Sequence, residues 1–494
     1  MSDTQPFASL VLVTAVVGLV AVLSNRLTAR VKVPAAVLLL VAAAVMVQVV
    51  PVLHAPSESL VEQVVTVALL CVLFDGGMHI GWSRFRAAAV PILVVGVVGT
   101  FLTVAAAAVL IHLVFGLDWY VALLVATAVS PTDPAVVFSV LGQREVEGRS
   151  GTILEGESGA NDPVGIALMA SLLAAGGLSG HAFVDIGGQF LLQMGVGAAI
   201  GALGGRALLW FMRRVPLPSE GLYPLRTLAS VLVLYGATTL AHGSGFLAVF
   251  VAGIMIGDGH APFKREIERF HGALASLGEI VAFVVLGLTV NVSVLLRPDV
   301  WVPGLVLGVV LALLIRPIVV GLCLVRTRLS NAERVFVLFA GLKGAVPILL
   351  GGFLFALNLA DAPRLYGIVV VVVVFSVVVQ GSLVPTVARA LRLPMRTVEP
   401  QPWTLGVRLR EEPHGAHRFT VVAGAPAEGR TIAELADLPG DAWVSLILRD
   451  QQLLPVTGES QLQAEDEVLV LADCDRRAEL AATFETPAPP HTAM

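Results

Sequence analysis

Apolar residues dominate this chain in long blocks, and a block of about 18 or more is the length a helix needs to cross a hydrocarbon layer. Thirteen such blocks precede residue 395, near 7–24, 33–50, 60–80, 87–115, 119–142, 152–175, 187–212, 222–241, 244–257, 273–296, 300–325, 334–357 and 365–388. The ninth is short for a crossing. The pattern predicts an all-α polytopic membrane protein of about thirteen helices over residues 1–395. After Met395 it changes. "VEPQPW" reads as a linker at 396–404, and 405–480 reads as a small α+β unit with strand-like "RFTVVAGA", "WVSLILRD" and "DEVLVLAD" and a short helix at "TIAELADL". The Pro-rich end, 481–494, reads as a disordered tail.

Composition agrees with the pattern. Hydrophobic residues make up 56% of the 494 and charged residues 14%, with a mean hydropathy of +0.87; a soluble chain carries about 25% charged residues. Basic residues collect on cytoplasmic loops. Here they fall on alternate connections: Arg26, Arg30 and Lys32; Arg84 and Arg86; Arg144 and Arg149; Arg213, Arg214 and Arg226; Lys264, Arg265 and Arg269; Arg326, Arg328 and Arg334; and Arg389, Arg392 and Arg396. The other connections hold Arg297 and Arg364. This bias puts the N-terminus outside and the C-terminus in the cytoplasm of a plasma (inner) membrane protein. Asp3 and the lack of a basic start argue against a cleaved signal peptide. Cys71, Cys323 and Cys474 are too scattered for a disulfide framework or a metal site. A net charge of −5 gives no nucleic-acid signal.

An odd number of spans suggests two inverted six-helix repeats joined by one extra helix, so that each segment has a partner seven places on. Interrupted helices at matching positions mark the sites of such carriers. Segment 5 is interrupted by "SPTDPAVV", with Pro131 and Pro134. Its partner, segment 12, is interrupted by "GLKGAVPILLGG", with Gly341, Gly344 and Pro347.

The candidate chemistry sits in the same places. "GESGANDPVGIALMASLLAA" carries Glu157, Asn161 and Asp162 into a spanning segment, where each charge costs roughly 2.5–3.5 kcal/mol on the insertion scale. Ser158 and Asp162 share one helix face, and Glu157 and Asn161 a neighbouring one. Pro163, Pro134 and Pro131 cannot donate to the carbonyls of Gly159, Ser130 and Thr127, leaving those oxygens free. Thr132 and Asp133 sit at the break. Carboxylates, a hydroxyl, an amide and loose carbonyls are hard oxygen ligands suited to an alkali cation. A carboxylate there also takes a proton, so proton and cation compete for one group, which is the basis of antiport. Asp162 is the leading candidate for that group. Glu157 is read instead as the structural partner of the embedded Arg316. Lys343 is read as compensating helix ends at the crossing. Asp75 and Glu279 are read as packing or funnel residues, and Glu155 as drawing cations inward.

These residues carry a resemblance. "PTDPAVV" at 131–137, "LEGESGANDPVG" at 154–165, "GSGFLAVFVAGIMIG" at 243–257, "LGLTV" at 286–290, "IRP" at 315–317 and "GLKGAVP" at 341–347 resemble a bacterial member of the monovalent cation:proton antiporter family that includes the sodium/proton exchangers. The resemblance implies a thirteen-helix homodimer with crossed, unwound helices and Asp162 as the essential carboxylate. It also implies an ion site lined by Thr132, Asp133, Ser158 and Asn161, a Glu157–Arg316 pair, and electroneutral exchange from the Asn–Asp form. Lys343 in place of the Arg of many sodium exchangers, and Pro163 in place of a small residue, resemble the potassium/proton branch. So does the C-terminal unit, where "GRTIAEL", "LILRDQQLLPVTG" and "AEDEVLVLA" resemble the RCK C-terminal (TrkA-C) effector-binding domain.

The reading is therefore a secondary antiporter, not an enzyme, exchanging a monovalent cation (potassium favoured over sodium) for protons. It needs no cofactor. Its partners are the ions, membrane lipid, a second copy of itself and a small-molecule effector, with no nucleic acid. Rival classes lack their signatures. An intramembrane aspartyl protease needs Gly-x-Gly-Asp, whereas "GIMIGDG" has the wrong order. "GESGA" has Ala160 where a hydrolase elbow needs Gly. A channel needs a ring-built filter.

Overall fold

The computed structural model describes residue 19 and residues 35–49, 57–141, 144–146, 149–178, 180–259, 261–355, 361–397, 415–435, 442–449, 452–472 and 476–486. Apart from Leu19, the expected first span and the basic loop after it lie outside these residues, as do 398–414, Cys474 and 487–494. The chain divides into two compact units, Met1–Glu399 and Pro400–Met494.

The first unit is helical: α1 (Ala35–Val49), α2 (Glu58–Leu93), α3 (Thr100–Phe115), α4 (Trp119–Val129), α5 (Pro134–Leu141), α6 (Arg149–Ala175), α7 (Ala182–Arg214), α8 (Leu222–Leu240), α9 (Gly245–Gly257), α10 (Lys264–Leu288), α11 (Pro298–Val310), α12 (Arg316–Cys323), α13 (Asn331–Phe339), α14 (Ala345–Gly352), α15 (Ala362–Phe375) and α16 (Gly381–Ala390). Among the described residues five stretches are long and apolar enough to cross a bilayer: Ser59–Phe115, Ala182–Arg214, Lys264–Leu288, Pro298–Cys323 and Ala362–Ala390. Helix α6 is not among them, because Glu157, Asn161 and Asp162 interrupt its apolar run.

The segments expected at 60–80 and 87–115 are joined without a loop. Helix α2 is kinked at Gly81, whose φ of 65° and ψ of 164° suit a residue with no Cβ. The helix restarts under a cap from a distant carboxylate: the Ser83 N–H donates to Asp258, just past the end of α9. Helix α9 has 13 residues, about 20 Å of rise, and is too short to cross alone. It is gripped on two sides by small residues. Gly253 and Gly257 meet Gly77 and Gly81 of α2, and Ser244, Ala248 and Ala252 meet Gly197, Gly201 and Gly205 of α7. Four-residue spacing puts each set on one helix face, and close backbone approach replaces the hydrophobic drive that lipid removes.

Three helices contain a π-turn: Val94–Gly99 between α2 and α3, Leu311–Ile315 between α11 and α12, and Ser376–Gln380 between α15 and α16. Strands β1 (Arg144–Val146) and β2 (Met395–Thr397) pair antiparallel. The expected linker from 396 thus starts inside a strand.

The second unit is a four-stranded antiparallel sheet of β3 (Ala416–Thr420), β4 (Trp443–Arg449), β5 (Gln452–Leu454) and β6 (Glu467–Leu471), in the order β3-β6-β4-β5. The α17 helix (Arg477–Phe484) packs Leu480 and Phe484 onto Phe419, Ile447 and Val468. This corrects the expected tail at 481. Leu480 and Phe484 lie four apart on one face, and burying Phe484 extends the helix past that boundary.

Candidate functional site

The two interruptions foreseen in the sequence meet. Helix α4 stops at Val129 and α5 starts at Pro134, leaving Ser130–Asp133 outside either helix; α13 stops at Phe339 and α14 starts at Ala345, leaving 340–344 likewise outside. The Asp133 N–H donates to the Leu342 carbonyl at 2.8 Å, joining the two unwound segments backbone to backbone.

Each broken helix end finds a charge of the right sign. A helix C-terminus carries partial negative charge and an N-terminus partial positive charge. The Ser130 carbonyl, freed by Pro134, accepts from Lys343 Nζ at 2.8 Å. The Thr127 carbonyl, freed by Pro131, accepts from the Ser130 N–H and hydroxyl. At the end of α13, Arg316 donates Nε to the Leu338 carbonyl and Nη2 to the Val337 carbonyl, each at 3.1 Å. Asp133 immediately precedes α5, and a Cβ on Gly344, the N-cap of α14, would overlap its carboxylate. One acid therefore lies at both helix N-termini. The absence of a side chain at Gly344 makes room for it, as at Gly341 for the Arg316 guanidinium.

Helix α6 supplies the other wall. Glu157, Ser158, Asn161 and Asp162 are all buried. Glu157 and Arg316 form a bidentate pair, Nη1 to Oε1 at 2.6 Å and Nη2 to Oε2 at 3.0 Å. Asn161 Nδ2 donates to Thr132 Oγ1 at 2.7 Å, the Thr132 N–H donates to Asn161 Oδ1 at 3.4 Å, and the Thr132 hydroxyl donates to Glu157 Oε1 at 3.4 Å. An amide that donates at one end and accepts at the other holds the crossing in place. A carboxylate at 161 could only accept. Asp162 stands apart from this network. Its Oδ1 is buried without a hydrogen-bond partner among the described residues, with Asp133 and Lys343 as its charged neighbours.

The structure thus brings Thr132, Asp133, Glu157, Asn161, Asp162, Arg316 and Lys343 to one crossing. Ser158 lies one turn before Asp162 on α6. Asp75 is engaged by His79 at 3.3 Å on its own helix. Two residues of the crossing were not singled out in the sequence, Ser376 and Gln380. Ser376 Oγ accepts from the Lys343 N–H at 3.0 Å, and Gln380 Nε2 donates to the Phe339 carbonyl at 2.6 Å. Two polar residues four apart in a valine run were the available signal.

Interrupted half-helices that meet around a buried carboxylate, one of its oxygens without a partner among the described residues, mark a secondary ion carrier. Comparison with known proteins narrows the class. The family model "Sodium/hydrogen exchanger, transmembrane" matches residues 12–390, and the TrkA-C domain model matches 416–485. The chain belongs to the sodium/hydrogen exchanger family of cation/proton antiporters. It is 33% identical over 412 residues to the K(+)/H(+) antiporter NhaP of Alkalimonas amylolytica, covering 82% of this chain and 71% of that one. It is 32% identical over 414 residues to the K(+)/H(+) antiporter NhaP2 of Shewanella oneidensis, covering 82% and 70%. The Na(+)/H(+) antiporter NhaH of Halobacillus dabanensis is 27% identical over 339 residues, covering 66% and 82%. The solved sodium proton antiporter MjNhaP1 of Methanocaldococcus jannaschii shares the fold, with a TM-score of 0.66 at 20% identity, covering 79% of this chain and 99% of that one.

Proposed function

We propose that the protein exchanges potassium for protons, one for one, with Asp162 as the group for which the two ions compete. The observation that carries this reading is the Asp162 carboxylate oxygen, buried without a hydrogen-bond partner among the described residues while its neighbours at the crossing are engaged. The crossing residues Arg316, Lys343, Glu157 and Asp133 balance in formal charge. Asp162 is then the odd charge. Protonated or cation-bound at Asp162, these five residues sum to zero; empty, they carry one negative charge in a low-dielectric setting, which disfavours reorientation. Exchange is therefore obligatory and electroneutral. The Asp162 carboxylate, the hydroxyls of Thr132 and Ser158, and the Asp133 carboxylate are the hard oxygens that would receive the alkali ion.

The names of the more similar relatives, and the TrkA-C unit, support potassium over sodium. In this reading the protein works as a homodimer in the plasma membrane, with its N-terminus outside. The TrkA-C unit is cytoplasmic and tunes exchange on binding a small effector. The transported ions are the ligands the mechanism requires.

Asp162→Asn tests the site. It keeps the size of Asp and can still form hydrogen bonds, but can neither release a proton nor offer a charge. The expected result is an inserted, folded protein with no cation-driven proton movement in proteoliposomes, with potassium and sodium supplied separately across neutral and alkaline pH. Exchange near the wild-type rate would remove Asp162 from the mechanism. A wild type driven by sodium but not potassium would overturn the ion assignment alone.

A further inference from the structure

Beside the ion pair lies a small cavity of about 20 Å³, whose mixed wall includes Glu157, Arg316, Asn161 and Lys343. All three π-turns found among the described residues reach it, through Val95 and Gly99, Leu311 and Ala312, and Ser376 and Gln380. π-turns are rare and concentrate at functional sites. Here one of them carries a built device. Ser376 and Gln380 stand at the two ends of the turn Ser376–Gln380 and are bonded to each other, Ser376 Oγ donating to Gln380 Oε1 at 3.1 Å. Both are buried. From that link, Ser376 takes the Lys343 N–H and Gln380 holds the Phe339 carbonyl. These are the two ends of the unwound segment that presents Lys343 to Ser130 and the Leu342 carbonyl to Asp133. That segment has no helical ladder of its own.

We propose that Ser376 and Gln380 are positioning residues for exchange, acting as one clamp on the 339–343 segment. They reach the ion site through Lys343 and Leu342. The clamp keeps the crossing rigid while the carrier reorients; it contributes no atom to the ion's ligand shell. Its loss should therefore lower the maximal exchange rate and leave the apparent cation affinity in place. The proposal rests on exchange at Asp162.

The test compares Ser376→Ala, Ser376→Thr, Gln380→Leu and the double variant Ser376→Ala/Gln380→Leu in proteoliposomes, with thermal unfolding of each purified protein. Misplacing a reacting group from a distance costs up to about a hundredfold, so at least about a tenfold fall in maximal rate is expected for Ser376→Ala and Gln380→Leu, with KM for the cation within about twofold. Ser376→Thr keeps the hydroxyl and should restore the rate. The double variant should be no slower than the worse single one, because two residues of one clamp do not add. Wild-type rates in folded single variants would overturn the proposal, as would a loss in Ser376→Thr equal to that in Ser376→Ala, or multiplied losses in the double. If Gln380→Leu fails to insert, the Ser376 pair decides alone. Persistent exchange in Asp162→Asn would instead sink the reading on which the clamp depends.

Discussion

Glu157→Gln removes one charge from the bidentate pair and leaves almost every atom in place. The pair is well buried, with Glu157 and Arg316 side chains 3% and 8% exposed. Breaking a buried pair by removing one partner costs about 3–5 kcal/mol, because the surviving charge is left uncompensated. The geometry adds a specific conflict. Glu157 accepts from Nη1 through one oxygen and from Nη2 through the other. An amide in that position turns an NH₂ toward one of these donors, whichever way it is flipped. Against this, Arg316 keeps the Val337 and Leu338 carbonyls at the negative end of α13, so the low end, about 3 kcal/mol, is expected. The assay is unfolding of the purified protein by titration with denaturing detergent, with Glu157→Met/Arg316→Met as the control. Replacing both charges removes the conflict but takes the Arg316 donors from the Val337 and Leu338 carbonyls, so the double variant should recover only part of the loss, to about 1–2 kcal/mol below wild type. A Glu157→Gln protein within about 0.5 kcal/mol of wild type would refute the claim that this pair is an uncompensated charge in waiting.

Three further outcomes follow from the same geometry. Gly344→Ala places a methyl group in the Asp133 carboxylate and should cut the maximal exchange rate by about tenfold or more, read in proteoliposomes, with the protein still inserted. Asp258→Asn weakens the cap on Ser83 and should destabilise the kinked stretch of α2 by about 1 kcal/mol. Burial alone would raise the Asp258 carboxyl, but hydrogen bonds from Ser83, with Lys264 and Arg84 nearby, bring it below its ordinary value. That contribution to stability is present above the ordinary carboxylate pKa and lost as pH falls through the lowered one. Equal acid sensitivity of Asp258→Asn and wild type would contradict it. Truncation after Glu399 removes the TrkA-C unit and none of the crossing residues, so exchange should persist with an altered pH profile or effector response; complete loss in an inserted protein would make the unit part of the transport machinery.

Much of the site could be read along the chain because its signals are local. Proline cannot donate and glycine leaves space, so "SPTDP" and "GLKGAVP" announce broken helices wherever they lie. Carboxyl groups inside an apolar run are costly enough to announce function. Glu157 and Arg316 are isolated opposite charges in separate spans, so their pairing was a natural guess. Ser376 and Gln380 were passed over because a serine or glutamine in a valine run also satisfies itself on its own helix, and nothing local distinguishes the two cases.

Sequence alone determined the membrane class, the two units and the places where helices must break, and made Asp162 the leading candidate carboxylate. Each follows from a property of a residue and its near neighbours: hydropathy, a missing N–H, a charge in an apolar run. Tertiary structure decided which freed carbonyl meets which cation. Lys343 reaches Ser130 across 213 positions, Arg316 reaches Glu157 across 159, and Asn161 reaches Thr132 on another helix break. It also decided that α2 kinks at Gly81 beside a cap from Asp258, and that three π-turns converge on one cavity. Such pairings depend on distances between elements far apart in the chain. Those distances are set by how glycine and alanine faces let helices approach, a sum over the whole packing that no single stretch encodes.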